Sequence, residues 1–135
     1  MHILITGHTG FKGAWLTFLL KELGHQVSGI SLPPRPSSIY ANSNQNRLMS
    51  LELLADIRDY ESCYEFIKTT MPDVIIHLAA QPLVRRSYVE TRMTYETNFN
   101  GTLNILEIST SLSIESTLII TTDKVYKDQN KKNGY

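Results

Sequence analysis

The chain has 135 residues, with 13 basic and 13 acidic side chains that leave a formal net charge of zero. This length fits one domain with a real core, and the balanced charge offers no basic field for nucleic acid and no polybasic stretch for a membrane surface. The apolar runs are far shorter than a membrane span, and Cys63 is the only cysteine, which excludes a disulfide framework and a cysteine-rich metal site.

An apolar run from His2 to Thr6 predicts the first strand and leaves no room for a signal peptide, so we expect a cytoplasmic location. The run is followed by Gly7-His8-Thr9-Gly10-Phe11-Lys12-Gly13 and by a helical pattern that ends at Gly24. Strand, glycine turn and helix form the context of a dinucleotide-binding fingerprint, in which the backbone approaches a pyrophosphate at the helix N-terminus. His8 replaces the second glycine of the common G-x-G-x-x-G, and no Walker A Lys-Ser/Thr pair follows Gly13. The turn favours dinucleotide binding over an ordinary glycine turn into a buried helix.

A second strand is predicted over 26–32, before a proline- and asparagine-rich loop that continues to Asn46. In dinucleotide-binding folds, a carboxylate near the end of this strand binds the ribose hydroxyls of NAD. Ile30-Ser31-Leu32 contains no acid, and Arg35 is either a partner for the 2′-phosphate of NADP or, as we favour, a solvated loop residue. This segment leaves the choice between NAD and NADP open.

A short third strand over 51–55 leads into Asp56-Ile57-Arg58-Asp59. Asp56 is a candidate to accept a hydrogen bond from the adenine amino group, with Ile57 lying against the ring. The alternative makes both aspartates turn and cap residues. We favour that alternative for Asp59, as the N-cap of a helix that continues to about Thr70.

Val74-Ile75-Ile76-His77-Leu78 is a continuous apolar run, typical of a buried parallel strand. His77 is interpreted as a core histidine with its hydrogen bonds satisfied rather than as a catalyst. The small residues Ala79 and Ala80 would let a ribose and a nicotinamide lie close to the backbone. A long helix is then predicted from Thr91 to Ser111, with Phe99, Leu103 and Leu106 at core spacing.

A fifth strand over 117–120 ends at Thr121-Thr122-Asp123-Lys124, where a hydroxyl, a carboxylate and an ammonium could act as hydrogen-bond donor, acid and base. A surface ion pair is the alternative for Asp123 and Lys124. The element order predicts an α/β fold, a Rossmann-type doubly wound parallel sheet, whose ligands bind beyond the carboxyl ends of the strands. The segments that meet at that edge are 7–13, the turn after Leu32, 78–82 and 121–124.

Together these segments resemble the extended short-chain dehydrogenase/reductase family, and within it the 4,6-dehydratases of CDP-linked sugars. The stretches that carry the resemblance are Gly7–Gly13, Asp56–Asp59, His77–Arg85, Thr97-Asn98 with Gly101-Thr102, and Thr121–Lys124 with Tyr126. The glycine turn marks the family broadly, whereas Gln-Pro-Leu-Val-Arg and Thr-Thr-Asp-Lys point to the CDP-sugar branch. The dTDP-sugar dehydratases look similar but usually carry Glu where Lys124 stands.

The resemblance implies a redox-neutral elimination of water from a nucleotide-activated hexose on bound NAD. It implies that Thr122 hydrogen-bonds the sugar near O4, that Asp123 is the general acid at O6, and that Lys124 lies near C5. Gln81, Val84 and Arg85 are implied near the sugar and its diphosphate, and Asn98 is implied as a structural residue. The expected cofactor-binding residues are Gly7, Thr9, Gly10, Phe11, Lys12, Gly13, Asp56, Ile57, Leu78, Ala79, Ala80, Gln81, Thr97 and Thr121.

One feature of the family is missing, the Tyr-x-x-x-Lys pair that follows the Thr-Asp-Lys strand. Tyr64 and Lys68 have this spacing but precede the fourth strand, and we interpret them as coincidental. We therefore expect residues 1–135 to be an incomplete NAD(P)-binding domain, truncated before the substrate-binding part and inactive alone. By analogy the full-length protein is expected to dimerise. The remaining alternatives are an epimerase or reductase of the same family and a non-catalytic dinucleotide-binding module.

Overall fold

The computed structural model describes residues 1–122, which form a five-stranded parallel sheet flanked by helices. The strands lie in the order β3-β2-β1-β4-β5. Successive strands are added on one side of β1 up to β3 and then on the other side, so the strand order switches between β1 and β4. The strands are β1 (His2–Thr6), β2 (Gln26–Ser31), β3 (Leu51–Leu54), β4 (Val74–His77) and β5 (Ser116–Ile119). The predicted α/β doubly wound sheet is confirmed, and each strand ends within a residue or two of the predicted boundary.

The helices are α1 (Phe11–Glu22), α2 (Ile39–Asn42), α3 (Tyr60–Thr70), α4 (Val84–Val89), α5 (Thr91–Tyr95) and α6 (Gly101–Ser111). A 3₁₀ turn spans Gln45–Leu48, and a π-helical turn spans Glu96–Asn100 between α5 and α6. The sequence predicted α1, α3 and the path from Thr91 to Ser111. It did not predict α4, and it treated α2 and the 3₁₀ turn as loop.

Alternating strand residues build one apolar core on each face of the sheet, as period-two geometry requires. Ile3, Ile5 and Val27 pack with Leu20 of α1. On the other face, Leu4, Ile30 and Ile75 pack with residues of α3 and α6, namely Cys63, Ile67, Ile105 and Ile108. The two cores fix the strands between helical layers and leave the carboxyl ends of the strands as a common edge.

The face by which α6 packs differs from the prediction. Phe99, Leu103 and Leu106 are 66%, 43% and 41% exposed, whereas Ile105 and Ile108 are fully buried. The cause is Gly101, where an added Cβ would lie 2.5 Å from Ile57 Cδ1, so the helix approaches the sheet on its glycine side. The π-helical turn also inserts a residue before α6 and changes the phase of the apolar pattern.

Within residues 1–122, no helix is both long enough and apolar enough to cross a bilayer. In the same part of the chain, no group of three or more His, Cys, Asp or Glu side chains is arranged to hold a metal ion.

Candidate functional site

The glycine turn between β1 and α1 is held tightly against the carboxyl edge of the sheet. Gly7 has a φ of +78°, a left-handed conformation that glycine adopts without strain. Its N–H donates to the carbonyl of Ile30 at 2.8 Å, and an added Cβ would lie 2.9 Å from Ala79 Cα. At Gly13 an added Cβ would lie 2.2 Å from the Gly7 carbonyl oxygen. Both glycines are therefore required by the close packing of the turn.

The N-terminus of α1 is open to an anionic ligand. Gly10 is the N-cap in an extended conformation, no side chain caps this end, and the first turn contains no acidic residue. The N–H groups of a helix N-terminus need hydrogen-bond acceptors, and the helix dipole favours negative charge there. The geometry fits the pyrophosphate of a dinucleotide, for which Phe11, Lys12 and Gly13 would supply main-chain donors.

Thr9 connects the glycine turn to the end of β2. Its hydroxyl donates to the carbonyl of Leu32 at 3.0 Å and forms a 2.7 Å hydrogen bond with Ser31 Oγ. Thr9 is 8% exposed and its hydroxyl is used inside the fold, so its side chain positions the loop rather than facing solvent. No carboxylate follows β2 at this point, in agreement with the sequence.

Asp56 and Asp59 both act in the turn that follows β3. Asp59 caps α3, because its side chain accepts a hydrogen bond from the Ser62 N–H. Asp56 forms an ion pair with Arg58 at 2.8 Å, and hydrogen bonds from the guanidinium hold the pKa of Asp56 below its usual value despite partial burial. Arg58 also bonds Glu96 at 3.1 Å, which connects this turn to the π-helical turn.

The side chain of Ile57 lies mostly inside the core. It is 4% exposed and packs against α6. The carbonyl of Ile57 accepts a hydrogen bond from Asn104 Nδ2 at 3.0 Å. The contact of Ile57 with an adenine ring stays a prediction.

His77 is a core histidine with both ring nitrogens hydrogen-bonded, as predicted. Its Nδ1 lies 2.7 Å from Thr6 Oγ1 and its Nε2 lies 3.0 Å from Thr102 Oγ1. The ring is 2% exposed, and burial lowers its pKa to about 4. His77 is therefore neutral at physiological pH.

Gln81 closes the loop after β4 with its side chain. Its Oε1 accepts from the Leu83 N–H at 2.8 Å, and its Nε2 donates to Thr94 Oγ1 and to the Leu83 carbonyl. The main chain of Gln81 is clamped by Asn98, whose Oδ1 accepts at 2.7 Å and whose Nδ2 donates at 3.1 Å. The amide of Gln81 is thus engaged inside the loop, which disfavours its predicted direct contact with a ligand. Asn98 has the supporting role that the resemblance implies.

The remaining predicted residues lie around the same edge. Val84 and Arg85 are exposed in the first turn of α4, and Thr121 and Thr122 are exposed just after β5. Leu78, Ala79 and Ala80 follow β4, and Thr97 is half-buried in the π-helical turn. Asp123 and Lys124 lie outside the described residues.

The sequence did not predict one group at this end of the sheet. Glu52 Oε1 accepts hydrogen bonds from His8 Nε2 at 2.7 Å and from the Tyr40 hydroxyl at 2.6 Å. An acidic residue inside an otherwise apolar strand, Leu51-Glu52-Leu53-Leu54, is the signal that could have indicated it.

A parallel sheet with a glycine turn at an uncapped helix N-terminus defines a Rossmann-type dinucleotide-binding fold. A family model described as GDP-mannose 4,6 dehydratase matches residues 4–133. The chain belongs to this family of the extended short-chain dehydrogenases/reductases, which confirms the resemblance in the sequence.

Three known proteins illustrate the relationship. The chain is 40% identical to a CDP-glucose 4,6-dehydratase of Salmonella typhimurium over 98% of its own length and 37% of the relative's. A UDP-glucose 4-epimerase of Thermotoga maritima, solved with UDP-glucose, is 30% identical with a TM-score of 0.78 over 90% of this chain and 38% of that one. A UDP-glucose-4-epimerase of Stenotrophomonas maltophila with bound NAD has a TM-score of 0.83 at 21% identity, covering 98% of this chain and 40% of that one. The chain thus spans about 40% of the length of these proteins.

Proposed function

We propose that the protein containing this chain converts CDP-glucose to CDP-4-keto-6-deoxyglucose, and that residues 1–135 are its NAD-binding portion. The observation that carries the proposal is the 40% identity to a CDP-glucose 4,6-dehydratase over nearly the whole chain. The fit of the glycine turn to a pyrophosphate and the NAD bound by a structural neighbour support the cofactor. A cytoplasmic location and a dimer of the full-length protein stay predictions.

Bound NAD would supply a hydride acceptor for C4 of the hexose and a hydride donor for C6, and the proton of the C4 hydroxyl would pass to a base of the full-length protein. In the proposed reaction, Thr122 hydrogen-bonds the sugar near O4 and stabilises the 4-ketone. Asp123 protonates the C6 hydroxyl, which departs as water. Lys124 would stand near C5, whose proton the ketone has made acidic and which takes a proton back when the hydride reaches C6. Lysine accepts that proton near neutral pH only if desolvation lowers its pKa.

Val84 and Arg85 are proposed as contacts to the nucleotide-sugar. Both are exposed at the start of α4, beyond the loop that Gln81 and Asn98 hold in place. The Arg85 guanidinium suits a diphosphate, because its planar donors can bind two oxygens at once. The hydrogen bonds of Gln81 and Asn98 thus hold the loop from which α4, with Val84 and Arg85, begins.

The proposal is tested with the purified full-length protein and CDP-glucose carrying deuterium at C4. We expect a product that is lighter by one water and carries the deuterium at C6. Asp123→Asn should retain NAD binding and lose the elimination, because it removes the acid without changing the shape of the side chain. The 135 residues alone should bind NAD and give no product.

Two other outcomes would contradict the proposal. A product of unchanged mass with inverted C4 indicates an epimerase, which the 30% identity to the Thermotoga maritima enzyme makes the second candidate. Binding of NAD without any product from CDP-glucose, dTDP-glucose, UDP-glucose or GDP-mannose indicates a non-catalytic module.

A further inference from the structure

A carboxylate of β3 lies beside the glycine turn, on the strand next to the one that usually carries an acid in this fold. Glu52 pairs with Gly29 in the β2–β3 ladder. The space above Gly29 is filled by the His8 ring, since an added Cβ at Gly29 would lie 2.3 Å from His8 Nδ1. His8 belongs to the glycine turn, so Glu52 is connected to the turn by one hydrogen bond.

The two partners of Glu52 hold its carboxylate without neutralising its charge. His8 is fully buried, and burial lowers its pKa although the neighbouring Glu52 opposes the shift. Tyr40 is 3% exposed, and burial and Glu52 together raise the pKa of its hydroxyl. At neutral pH both partners are therefore uncharged donors, and neither brings a positive charge to the Glu52 carboxylate.

Glu52 also faces an open cavity. The cavity has a volume of about 240 Å³ and adjoins the segment that follows β2. Its described lining contains no cationic side chain, and Glu52 is its only charged member. The lining residues are Pro34, Tyr40, Ala41, Asn46, Glu52 and Leu54.

We propose that Glu52 is the specificity-determining residue that makes the protein prefer NAD to NADP. In this fold the adenosine ribose lies near the end of β2, where NADP carries an additional phosphate. No acid follows β2 here, and a carboxylate next to a phosphate repels it through space without needing to contact it. The inference rests on the proposed dinucleotide binding. It assigns to Glu52 the discrimination between NAD and NADP, which the residues at the end of β2 leave open.

The test measures dissociation constants for NAD and NADP by calorimetry on the purified protein and two variants. Glu52→Gln keeps an acceptor oxygen for His8 and Tyr40 but removes the charge. Tyr40→Phe removes one hydrogen bond and keeps the charge, which makes it the matched control. We expect Glu52→Gln to strengthen NADP binding at least about tenfold while NAD changes less than about twofold, and Tyr40→Phe to leave the NAD/NADP ratio unchanged.

The wild-type protein provides a second measurement that does not depend on a variant folding. Salt screens charge repulsion, so raising ionic strength from about 0.05 M to 0.5 M should narrow the preference for NAD. A preference of the wild-type protein for NADP, or a ratio unchanged by both Glu52→Gln and salt, overturns the inference. Failure to bind either dinucleotide contradicts the proposed function itself, so the two failures are distinguishable.

Discussion

Thr6 Oγ1 on β1 lies 2.7 Å from His77 Nδ1 on β4, and the same oxygen accepts hydrogen bonds from the N–H groups of Leu78 and Ala79, each at 3.2 Å. With both lone pairs in use, the Thr6 hydroxyl proton is donated to His77. Nδ1 is then the acceptor and Nε2 carries the proton that it donates to Thr102. One buried hydroxyl thus fixes both the tautomer of His77 and the start of the loop that follows β4.

Removing this hydroxyl should destabilise the protein. Thr6→Val preserves shape but leaves His77 Nδ1 and the Ala79 N–H without an acceptor, whereas the Leu78 N–H keeps its 3.1 Å hydrogen bond to the Thr6 carbonyl. We therefore expect a loss of about 2–4 kcal/mol in the free energy of unfolding. Thr17 is a matched control because it is also fully buried, and its hydroxyl has no partner among the described residues. Thr17→Val should be neutral or stabilising by about 1 kcal/mol. Urea unfolding checks both, and equal losses in the two variants would contradict the argument.

Stability should fall as pH falls from about 6.5 to about 4. The pKa of His77 is lowered to about 4 by burial, so in this window the unfolded chain binds a proton that the folded chain does not. The stability is fully present above pH 6.5, and the contribution of His77 lost by pH 4 is about 3 kcal/mol. His77→Gln should make the dependence of stability on pH shallower in urea titrations at several pH values, and the remaining slope includes the contribution of His8, whose pKa burial also lowers.

The wild-type protein, measured at the same pH values, is the reference for the pH experiment. A His77→Gln variant with the wild-type slope would show that His77 is not the group responsible.

Two glycines of the α1 region should respond to alanine for different reasons. Gly13→Ala places a Cβ 2.2 Å from the Gly7 carbonyl oxygen and 2.6 Å from His8 Cα, so we expect a loss of about 3 kcal/mol or more. At Gly24 nothing lies within 4 Å, but φ is +81°. Gly24→Ala should therefore cost only about 1 kcal/mol, and Gly24→Asn less. Thermal unfolding of the three variants checks the expected order of stability loss. A larger loss of stability for Gly24→Ala than for Gly13→Ala would contradict the prediction.

Cys63 should report on opening of the fold. Cys63 lies on the buried face of α3, and burial, with smaller effects from Asp59 and Asp56, raises the pKa of its thiol to about 12. Because only the thiolate reacts, labelling by a disulfide reagent at pH 8 should be at least about a hundredfold slower in buffer than in urea. Cys63 is the single cysteine of residues 1–135, so labelling is followed by mass spectrometry on the peptide that contains it. Rapid labelling in buffer would show that α3 separates from the sheet.

Elements with a strong local pattern were predicted well. The strand over 2–6 and the helix that Asp59 caps match the structure, because apolar runs, caps and glycine stops act over a few residues. The packing face of α6 was predicted wrongly, since apolar residues occupy more than one of its faces. The choice of face depends on the contact between Gly101 and Ile57, which lie far apart in sequence.

In the candidate site, too, features that are local in sequence were predicted, and features that depend on contacts between distant residues were not. The glycine turn is continuous in sequence, and its spacing and flanking elements were sufficient to predict it. The contact between His8 and Glu52 joins residues 44 positions apart, and no local pattern indicates it. The use of the Gln81 side chain inside its own loop was also not predicted, because a glutamine that folds back and one that faces a ligand have the same sequence.

The interlock of His8 with Gly29 restricts the order in which substitutions can accumulate at these two positions. A side chain at position 29 collides with the imidazole at 2.3 Å, whereas a glycine at position 8 leaves only an empty space. A lineage that moves toward the common G-x-G-x-x-G spacing must therefore lose the histidine first and fill position 29 afterwards. The reverse order passes through an intermediate sequence that carries both the histidine at position 8 and a side chain at position 29, which would be overpacked. Sequence change at this pair is thus directional, and relatives with His at position 8 and a side chain at position 29 should be rare.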